Sequence, residues 1–375
     1  MIKKLIITNY KSIAKQELDL KNINIIIGAN NSGKSNLLDA LVLYGQMLVM
    51  DLQEVFGPGP YSFRSVFHKG SDIRKDSMDF MISSTNKHEF FHNLRLRSYY
   101  NQGSGPRYLL KIADETIQID DHLERSTDSP HLLLRRKFFN KELDLDVKEI
   151  VNSFRGIRKY QFVPKEIKKE REVDPLAQGV GFLDPKGANL VNILYGIRNE
   201  KPHIFQAIID DFKLIFSDIM GLSFRHLGES KYALEFIRQV EGREWRFLGP
   251  QISDGFVISL AIITLIRLPE AQSSASKIIL IEEIENGLNP NTLRIILDKI
   301  ISASYNQDIQ FLITTHSPII LEHMNQSPEY VIVCEQEKGS STYIPLPKIL
   351  SRFGEEYEKG ESLFQLWFDG LIGGL

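Results

Sequence analysis

Cysteine is nearly absent from this sequence: Cys334 is the sole one in 375 residues. That excludes an intramolecular disulfide and any multi-cysteine metal site. Cys334 closes the strand-like run Tyr330-Val331-Ile332-Val333-Cys334, so it reads as a core thiol rather than a nucleophile. Long hydrophobic runs are missing too. The longest, Phe256 to Ile266, covers 11 residues, too few for a bilayer, which takes about 20. The opening Met1-Ile2-Lys3-Lys4-Leu5-Ile6-Ile7-Thr8 holds no signal-peptide core with a cleavage site. The expected location is cytoplasmic, with no membrane partner. A charge excess is also lacking: 45 Lys and Arg stand against 48 Asp and Glu, a net of −3. The chain is therefore not built wholly as a polyanion binder, although local basic patches remain open. No internal repeat, low-complexity tract or long heptad region is evident. The length accommodates one large α/β domain or two smaller ones.

What is present is organised around Gly28-Ala29-Asn30-Asn31-Ser32-Gly33-Lys34-Ser35, which fits the P-loop pattern G-x-x-x-x-G-K-[ST]. Before it, Ile23, Ile25, Ile26 and Ile27 make a short β-branched run that reads as a buried strand. After it, Leu37, Leu38, Leu41 and Val42 recur at helical spacing. In a strand–loop–helix of this kind the glycines let backbone N–H groups turn inward on phosphate oxygens. The helix N-terminus adds the positive end of its dipole. Lys34 would reach the β- and γ-phosphates, and Ser35 would place its hydroxyl on Mg²⁺.

Residues 2–8 and 23–27 read as strands joined by Tyr10-Lys11-Ser12 and a short polar hairpin. The helix after the loop fades near Met50, and Phe56-Gly57-Pro58-Gly59-Pro60 breaks regular structure. From about 61 to 150, segments such as 79–82, 90–96 and 108–112 read as antiparallel strands, with Thr127-Asp128-Ser129-Pro130 as one of the loops between them. Seven basic residues (Arg155, Arg158, Lys159, Lys165, Lys168, Lys169 and Arg171) then surround a short expected strand, Tyr160-Gln161-Phe162-Val163. They form either a solvated face, with Glu166 and Glu170 offsetting charge, or an electrostatic footprint for nucleic acid. Apolar stripes in 189–200 and 202–218 mark core helices. Strands are expected at 232–240 and 245–248. In the last third, a buried helix (256–268), a strand (277–281), a helix begun by Asn289-Pro290 and a strand (311–314) alternate. This order implies a parallel, crossover-connected sheet.

Three later segments sharpen the nucleotide reading. Ile278-Ile279-Leu280-Ile281-Glu282-Glu283 is a hydrophobic strand ending in two acids, as a Walker B strand does. Glu282 is assigned to Mg²⁺ together with Ser35, and Glu283 to the general base that polarises the attacking water. The following strand ends in Thr314-Thr315-His316-Ser317-Pro318, which places His316 to sense the γ-phosphate. Ser253-Asp254-Gly255 precedes the buried helix and forms a second anion-binding turn. Because it lies before Walker B in the chain, it is not expected to complete the same pocket as Lys34. Two such half-sites suggest a head-to-tail dimer, with each γ-phosphate capped by the partner's Ser253.

The order P-loop, Ser-Asp-Gly, Glu-Glu strand, Glu-Asn-Gly-Leu-Asn-Pro and Thr-Thr-His-Ser resembles ABC-type ATPase heads of the SMC and RecF kind. Among them it is most similar to the compact AAA-15/AAA-21 ATPases and the ATPase half of overcoming-lysogenization-defect nucleases. Leu5-Ile6-Ile7-Thr8-Asn9-Tyr10-Lys11-Ser12 also resembles that group's first strand, and the match runs over most of 1–335. The resemblance implies an α/β P-loop fold with a mostly parallel core sheet, a β-rich antiparallel lobe and a helical lobe. Its segments would be 1–50 (P-loop), 51–155 (β-rich lobe), 156–252 (Q-loop candidate and helical lobe), 253–335 (signature, Walker B and switch histidine) and 336–375 (extension), in one head of 1–375. It implies an ATP- and Mg²⁺-dependent homodimer with Ser253 as signature serine and His316 as switch histidine. The nucleotide set then comprises Gly28, Asn30, Asn31, Ser32, Gly33, Lys34, Ser35, Asn36, Lys11, Ser253 and Gly255. Gln161 is the Q-loop candidate for the metal. Relatives often work with a separate effector or nuclease subunit in DNA maintenance or phage defence.

The sequence departs from the pattern at several points. The signature reads Ser-Asp-Gly where transporters have Ser-Gly-Gly, which argues against a transporter subunit. Glu282 stands where most ABC proteins have Asp, and Asn289 where relatives often have His. The 59 residues after His316 are short for a fused Toprim nuclease and contain no Asp-x-Asp. The tail 363–375 is unusually apolar, and is either a last helix docked on the core or a partner-binding peptide.

Overall fold

A computed structural model of the chain describes residues 1–57, 62–73, 75–85, 87–100, 108–139, 145–174, 181–272, 276–352 and 362–372. The break expected at Pro58-Gly59-Pro60 and the end of the tail, Gly373 to Leu375, lie outside the described residues. Two compact units emerge. The first comprises Met1–Ile157, Ser276–Leu280 and Asp308–Leu375; the second comprises Arg158–Ala275 and Ile281–Gln307.

The first unit holds two sheets. One is antiparallel, in the order β2-β1-β4-β5-β6-β7, from β1 (Ile2–Tyr10), β2 (Ile13–Asp19), β4 (Met78–Thr85), β5 (Glu89–Tyr100), β6 (Tyr108–Ile119) and β7 (His122–Ser129). The other runs β16-β15-β3-β14-β13, from β3 (Ile23–Ile27), β13 (Ile278–Ile281), β14 (Gln310–Thr315), β15 (Val331–Glu337) and β16 (Ser340–Pro345). β14 and β15 both pair with β3 in parallel, as the strand–helix alternation implied. All five residues of β3 are buried, as expected of a parallel strand covered on both faces. The helix Lys34–Met47 is buried nearly all round, through Leu37, Leu38, Ala40, Leu41, Leu43, Tyr44 and Met47. It shares one core with Leu5, Ile7, Phe80 and Leu94 of the antiparallel sheet and with Ile26, Leu280, Leu312 and Ile332 of the parallel one.

A fully buried polar network runs through this core. Tyr44 Oη lies 2.7 Å from His92 Nδ1, and His92 Nε2 lies 3.2 Å from Glu115 Oε1. The Glu115 carboxylate also accepts the N–H groups of Leu133 and Leu134, at 2.6 and 3.0 Å. His92 and Glu115 have no exposed surface. A carboxylate so buried persists because donors surround it.

The second unit contains β8 (Lys159–Tyr160), β9 (Arg171–Glu172), β10 (Ile219–Gly228), β11 (Lys231–Val240) and β12 (Arg243–Leu248). Its sheet runs β10-β11-β12, with β9 on β11. The helices Leu190–Glu200, Pro202–Ile215, Asp254–Ala271 and Pro290–Asn306 complete the unit. Phe256 of the third helix meets Phe212, Phe216 and Phe236 at ring centroid distances of 4.7, 4.2 and 5.3 Å. No described helix is long and apolar enough to cross a membrane.

Several local expectations change. The polar segment after Lys11 is a strand, β2, although just two of its residues, Ile13 and Leu18, are buried. The backbone ladder to β1 defines it rather than an apolar face. The segment 127–129 belongs to β7, a mostly exposed outer strand without an apolar signature. β10 (Ile219–Gly228) has no counterpart among the expected strands. The strand expected at 160–163 shortens to Lys159–Tyr160, and Gln161 and Val163 instead donate their N–H groups to Pro185 and Lys186 carbonyls. In the tail, a helix Leu363–Phe368 packs on the helix Pro318–His323 and buries Leu363 and Leu366. Among the described residues the tail is thus docked on its own unit.

Candidate functional site

The first unit carries the P-loop sequence. β3 ends at Ile27, and the chain bends at once into Gly28. A Cβ on Gly28 would sit 2.2 Å from the Cys334 carbonyl oxygen, so no larger residue fits. Asn31 and Gly33 adopt left-handed backbone, with φ 66° and 104°. Gly33 then opens the helix that begins at Lys34. The Lys34 ammonium folds back onto its own loop and donates to the carbonyls of Gly28 and Ala29, each at 2.7 Å. Ser32 Oγ is buried without a hydrogen-bond partner. Leaving such a group unpaired costs about 1–3 kcal/mol. Ser35 is half-buried at the first turn of the helix.

Strand register brings His316 to the same edge. Thr315 of β14 pairs with Ile27 of β3 in parallel. His316 and Gly28 are therefore the next residues on adjacent strands, and His316 is exposed. On the other side, Val333 of β15 pairs with Ile27, so Cys334 also faces the loop. Its thiol donates to the Ser32 carbonyl at 3.3 Å, and burial pushes its pKa up to about 11. Cys334 is accordingly a core thiol, as its strand suggested. Behind the loop, Lys11 pairs with Asp39 at 2.5 Å, and the Asn36 amide donates to Ser12 Oγ at 2.7 Å.

The second unit holds the acids. Glu282 and Glu283 follow β13 directly, and the Glu282 N–H donates to the Tyr160 carbonyl at 2.8 Å. The Glu282 carboxylate pairs with Lys159 at 2.8 Å, and its side chain is 11% exposed. Glu283 has a left-handed backbone, φ 49°, a conformation that costs a non-glycine residue about 1–3 kcal/mol. Its carboxylate accepts from Asn286 Nδ2 at 2.6 Å and Gln161 Nε2 at 3.4 Å. The Q-loop candidate and the candidate base are therefore neighbours. Ser253 is the exposed N-cap of the helix Asp254–Ala271, and its side chain makes no capping bond. Gly255 packs so closely on the Gly287 carbonyl that a Cβ would lie 2.4 Å from it. The Ser-Asp-Gly turn thus meets the Glu-Asn-Gly turn backbone to backbone, which explains the glycine at 255; Gly287 has a left-handed backbone, φ 76°, and a Cβ there would lie 2.7 Å from Ile258 Cδ1. Asn289 caps the next helix by accepting the Thr292 N–H at 2.9 Å.

The basic segment is largely engaged within the protein. Lys159 holds Glu282, and Lys168 holds Asp254 at 2.5 Å. Lys169 and Arg171 both reach Glu166, at 2.7 and 3.4 Å. Arg158 stacks over the Phe182 ring at 4.4 Å. Sequence reasoning missed Lys159 as a partner of Glu282, and it missed Ser12, Ser341 and Tyr343 behind the P-loop. Lys159 carried a signal in its basic cluster; the three hydroxyls carried none, because they lie in unremarkable polar strands or turns.

The residues present suit a magnesium nucleotide. A P-loop site takes one hydroxyl, one carboxylate, phosphate oxygens and waters around Mg²⁺; donors of these two kinds are present as Ser35 on the first unit and Glu282 on the second. Among the described residues no group of three or more His, Cys, Asp or Glu forms a metal cluster, and such a site needs none.

Residues 23–322 match the model of a family described as "AAA domain, putative AbiEii toxin, Type IV TA system". No curated protein matches. Among solved structures, the chain is similar to an SMC head bound to the C-winged helix domain of ScpA. That likeness has a TM-score of 0.56 and 18% identity, covering 93% of this chain and 99% of that one. It is also similar to an SMC head with an extended coiled coil bound to the C-terminal domain of ScpA, derived from Pyrococcus furiosus. There the TM-score is 0.53 and the identity 16%, with 95% and 99% covered. At such identities the likeness establishes the fold alone, that of an SMC head domain.

Proposed function

The chain belongs to this AAA-domain family, and on that premise we propose that it binds and hydrolyses Mg-ATP as a single head, 1–375, within a head-to-tail homodimer. The observation that carries the reading is the cradle itself: a strand-to-helix loop admitting no Cβ at Gly28, with a folded-in Lys34 and an unpartnered buried Ser32 hydroxyl. Lys34 leaves its loop carbonyls for the β- and γ-phosphates. Ser35 would offer its hydroxyl and Glu282 its carboxylate to Mg²⁺, which would neutralise charge on the phosphate oxygens. For Glu282 this means release from Lys159. Glu283 takes the proton of the attacking water, with Gln161 and Asn286 orienting its carboxylate, and His316 contacts the γ-phosphate. The partner's Ser253 caps that phosphate, which fits its exposure and its uncommitted side chain.

The same reading makes the head the sensor or motor of a larger DNA-maintenance or phage-defence assembly with a separate effector. The solved SMC heads, each bound to a domain of ScpA, support a protein partner. Nucleic acid is a weaker part of the reading, because most of the basic segment already has internal partners. A second reading, an ATP-locked scaffold with little turnover, is favoured by the Lys159–Glu282 pair, which occupies the metal-binding acid. Glu283→Gln tests both. Under the first reading it binds ATP, hydrolyses it poorly and accumulates as a dimer on size exclusion. Wild-type turnover in this variant would remove Glu283 from the mechanism, and a wild-type chain that binds ATP without turnover would favour the scaffold.

A further inference from the structure

A phosphate cradle presents its N–H groups to one side only if its carbonyls are held on the other. In a planar trans peptide the C=O and the following N–H point in opposite directions. Two consecutive peptides of this P-loop have their carbonyls tied down by β16. The Ser32 carbonyl accepts from Ser341 Oγ at 2.5 Å, in addition to the Cys334 thiol. The Gly33 carbonyl accepts from the Tyr343 hydroxyl at 2.7 Å and from the Asn36 N–H at 2.9 Å. Ser341 and Tyr343 are two residues apart on one strand and so share a face. Each is 2% exposed.

The Ser341 hydroxyl also ends a relay. Asn36 Nδ2 donates to Ser12 Oγ at 2.7 Å, and Ser12 Oγ lies 2.6 Å from Ser341 Oγ. A carbonyl can only accept and an amide NH₂ can only donate. The direction is therefore fixed as Asn36 to Ser12 to Ser341 to the Ser32 carbonyl. Such a chain strengthens each of its bonds, and this one starts and finishes on the P-loop segment. Gly33, with φ 104°, lets the loop approach so closely that a Cβ would lie 2.0 Å from Ser341 Oγ.

We propose that Ser341 and Tyr343 are positioning residues for nucleotide binding, whose hydroxyls lock the 32–33 and 33–34 peptide planes so that the Gly33 and Lys34 N–H groups turn away from β16, toward the phosphates. The C-terminal hairpin β15–β16 thereby becomes part of the binding device. This rests on the P-loop reading above.

The test is calorimetric titration of ATP and of ADP into full-length Tyr343→Phe and Ser341→Ala, with the melting temperature of each variant measured without nucleotide. Loss of one such hydrogen bond is expected to weaken both nucleotides about fivefold, and Ser341→Cys, which keeps a donor, to recover part of that loss. A merely structural hydroxyl would lower the melting temperature and leave the affinity of the folded chain at the wild-type value. That result overturns the proposal. If Ser341→Ala does not fold, Tyr343→Phe, which removes a single oxygen, decides alone. Lys34→Ala separates the two levels. If it abolishes binding while the hydroxyl variants bind as wild type, the positioning inference fails alone. If it binds normally, the P-loop reading fails and the inference with it.

Discussion

Replacing Glu115 with alanine is expected to destabilise the first unit strongly. The carboxylate is fully buried, and it accepts the N–H groups of Leu133 and Leu134 and lies within reach of His92 Nε2. His92 lies between Tyr44 and Glu115, with Nδ1 2.7 Å from Tyr44 Oη and Nε2 3.2 Å from Glu115 Oε1. The buried Glu115 carboxyl group thus has three polar partners. Alanine strands all three and leaves a cavity. Each orphaned group costs about 1–3 kcal/mol, and breaking such a network typically costs about 3–5 kcal/mol. At roughly 2–4 °C per kcal/mol for a chain of a few hundred residues, the melting temperature should fall by about 10 °C. Glu115→Gln keeps one oxygen for a backbone N–H and should lose about half as much. ATP should recover part of the loss by binding the folded state. Differential scanning calorimetry with and without nucleotide reads both effects. A melting temperature within about 1 °C of wild type for Glu115→Ala would refute the reasoning, because the buried donors would then have found other partners.

Two further outcomes follow from the loop. Burial raises the Cys334 thiol pKa to about 11, so at pH 8 it stays protonated below that value. Iodoacetamide should modify it at pH 8 only after denaturation, as mass spectrometry would show; rapid labelling of the native chain would place the thiol elsewhere. Gly28→Ala puts a methyl where the Cys334 carbonyl oxygen is 2.2 Å away. It should abolish ATP binding in a titration even where the chain still folds, and retained affinity would mean that β15 can shift freely behind the loop.

Much of this architecture is legible in the chain because periodicity and apolar runs report burial. The isoleucines of β3, the leucines of the P-loop helix and the Phe256 helix all announced themselves. Strands without such a face did not. β2 buries two residues and β7 almost none, so their ladders are set by neighbours distant in sequence. The site divides in the same way. Gly28, Glu282, Glu283 and His316 directly follow strands, and Lys34 and Ser35 open a helix, positions that local pattern marks. Glu283's left-handed backbone has no signature in a glutamate. The Lys159–Glu282 pair joins positions more than a hundred residues apart, and the grip of Ser341 and Tyr343 on the P-loop spans most of the chain. Contacts of that kind are created by folding and leave no local trace.

The central claim, a composite site shared by two copies, is most directly tested by mixing two inactive variants. Lys34→Ala and Ser253→Ala should each lose Mg-ATP hydrolysis as homodimers, since every site lacks one essential group. In an equimolar mixture, half of the dimers pair one of each and contain one intact site. The mixture should therefore regain about a quarter of wild-type turnover, as symmetric pairing dictates. A mixture that stays as inactive as its parts, under conditions where the two variants demonstrably co-assemble, would contradict the head-to-tail account.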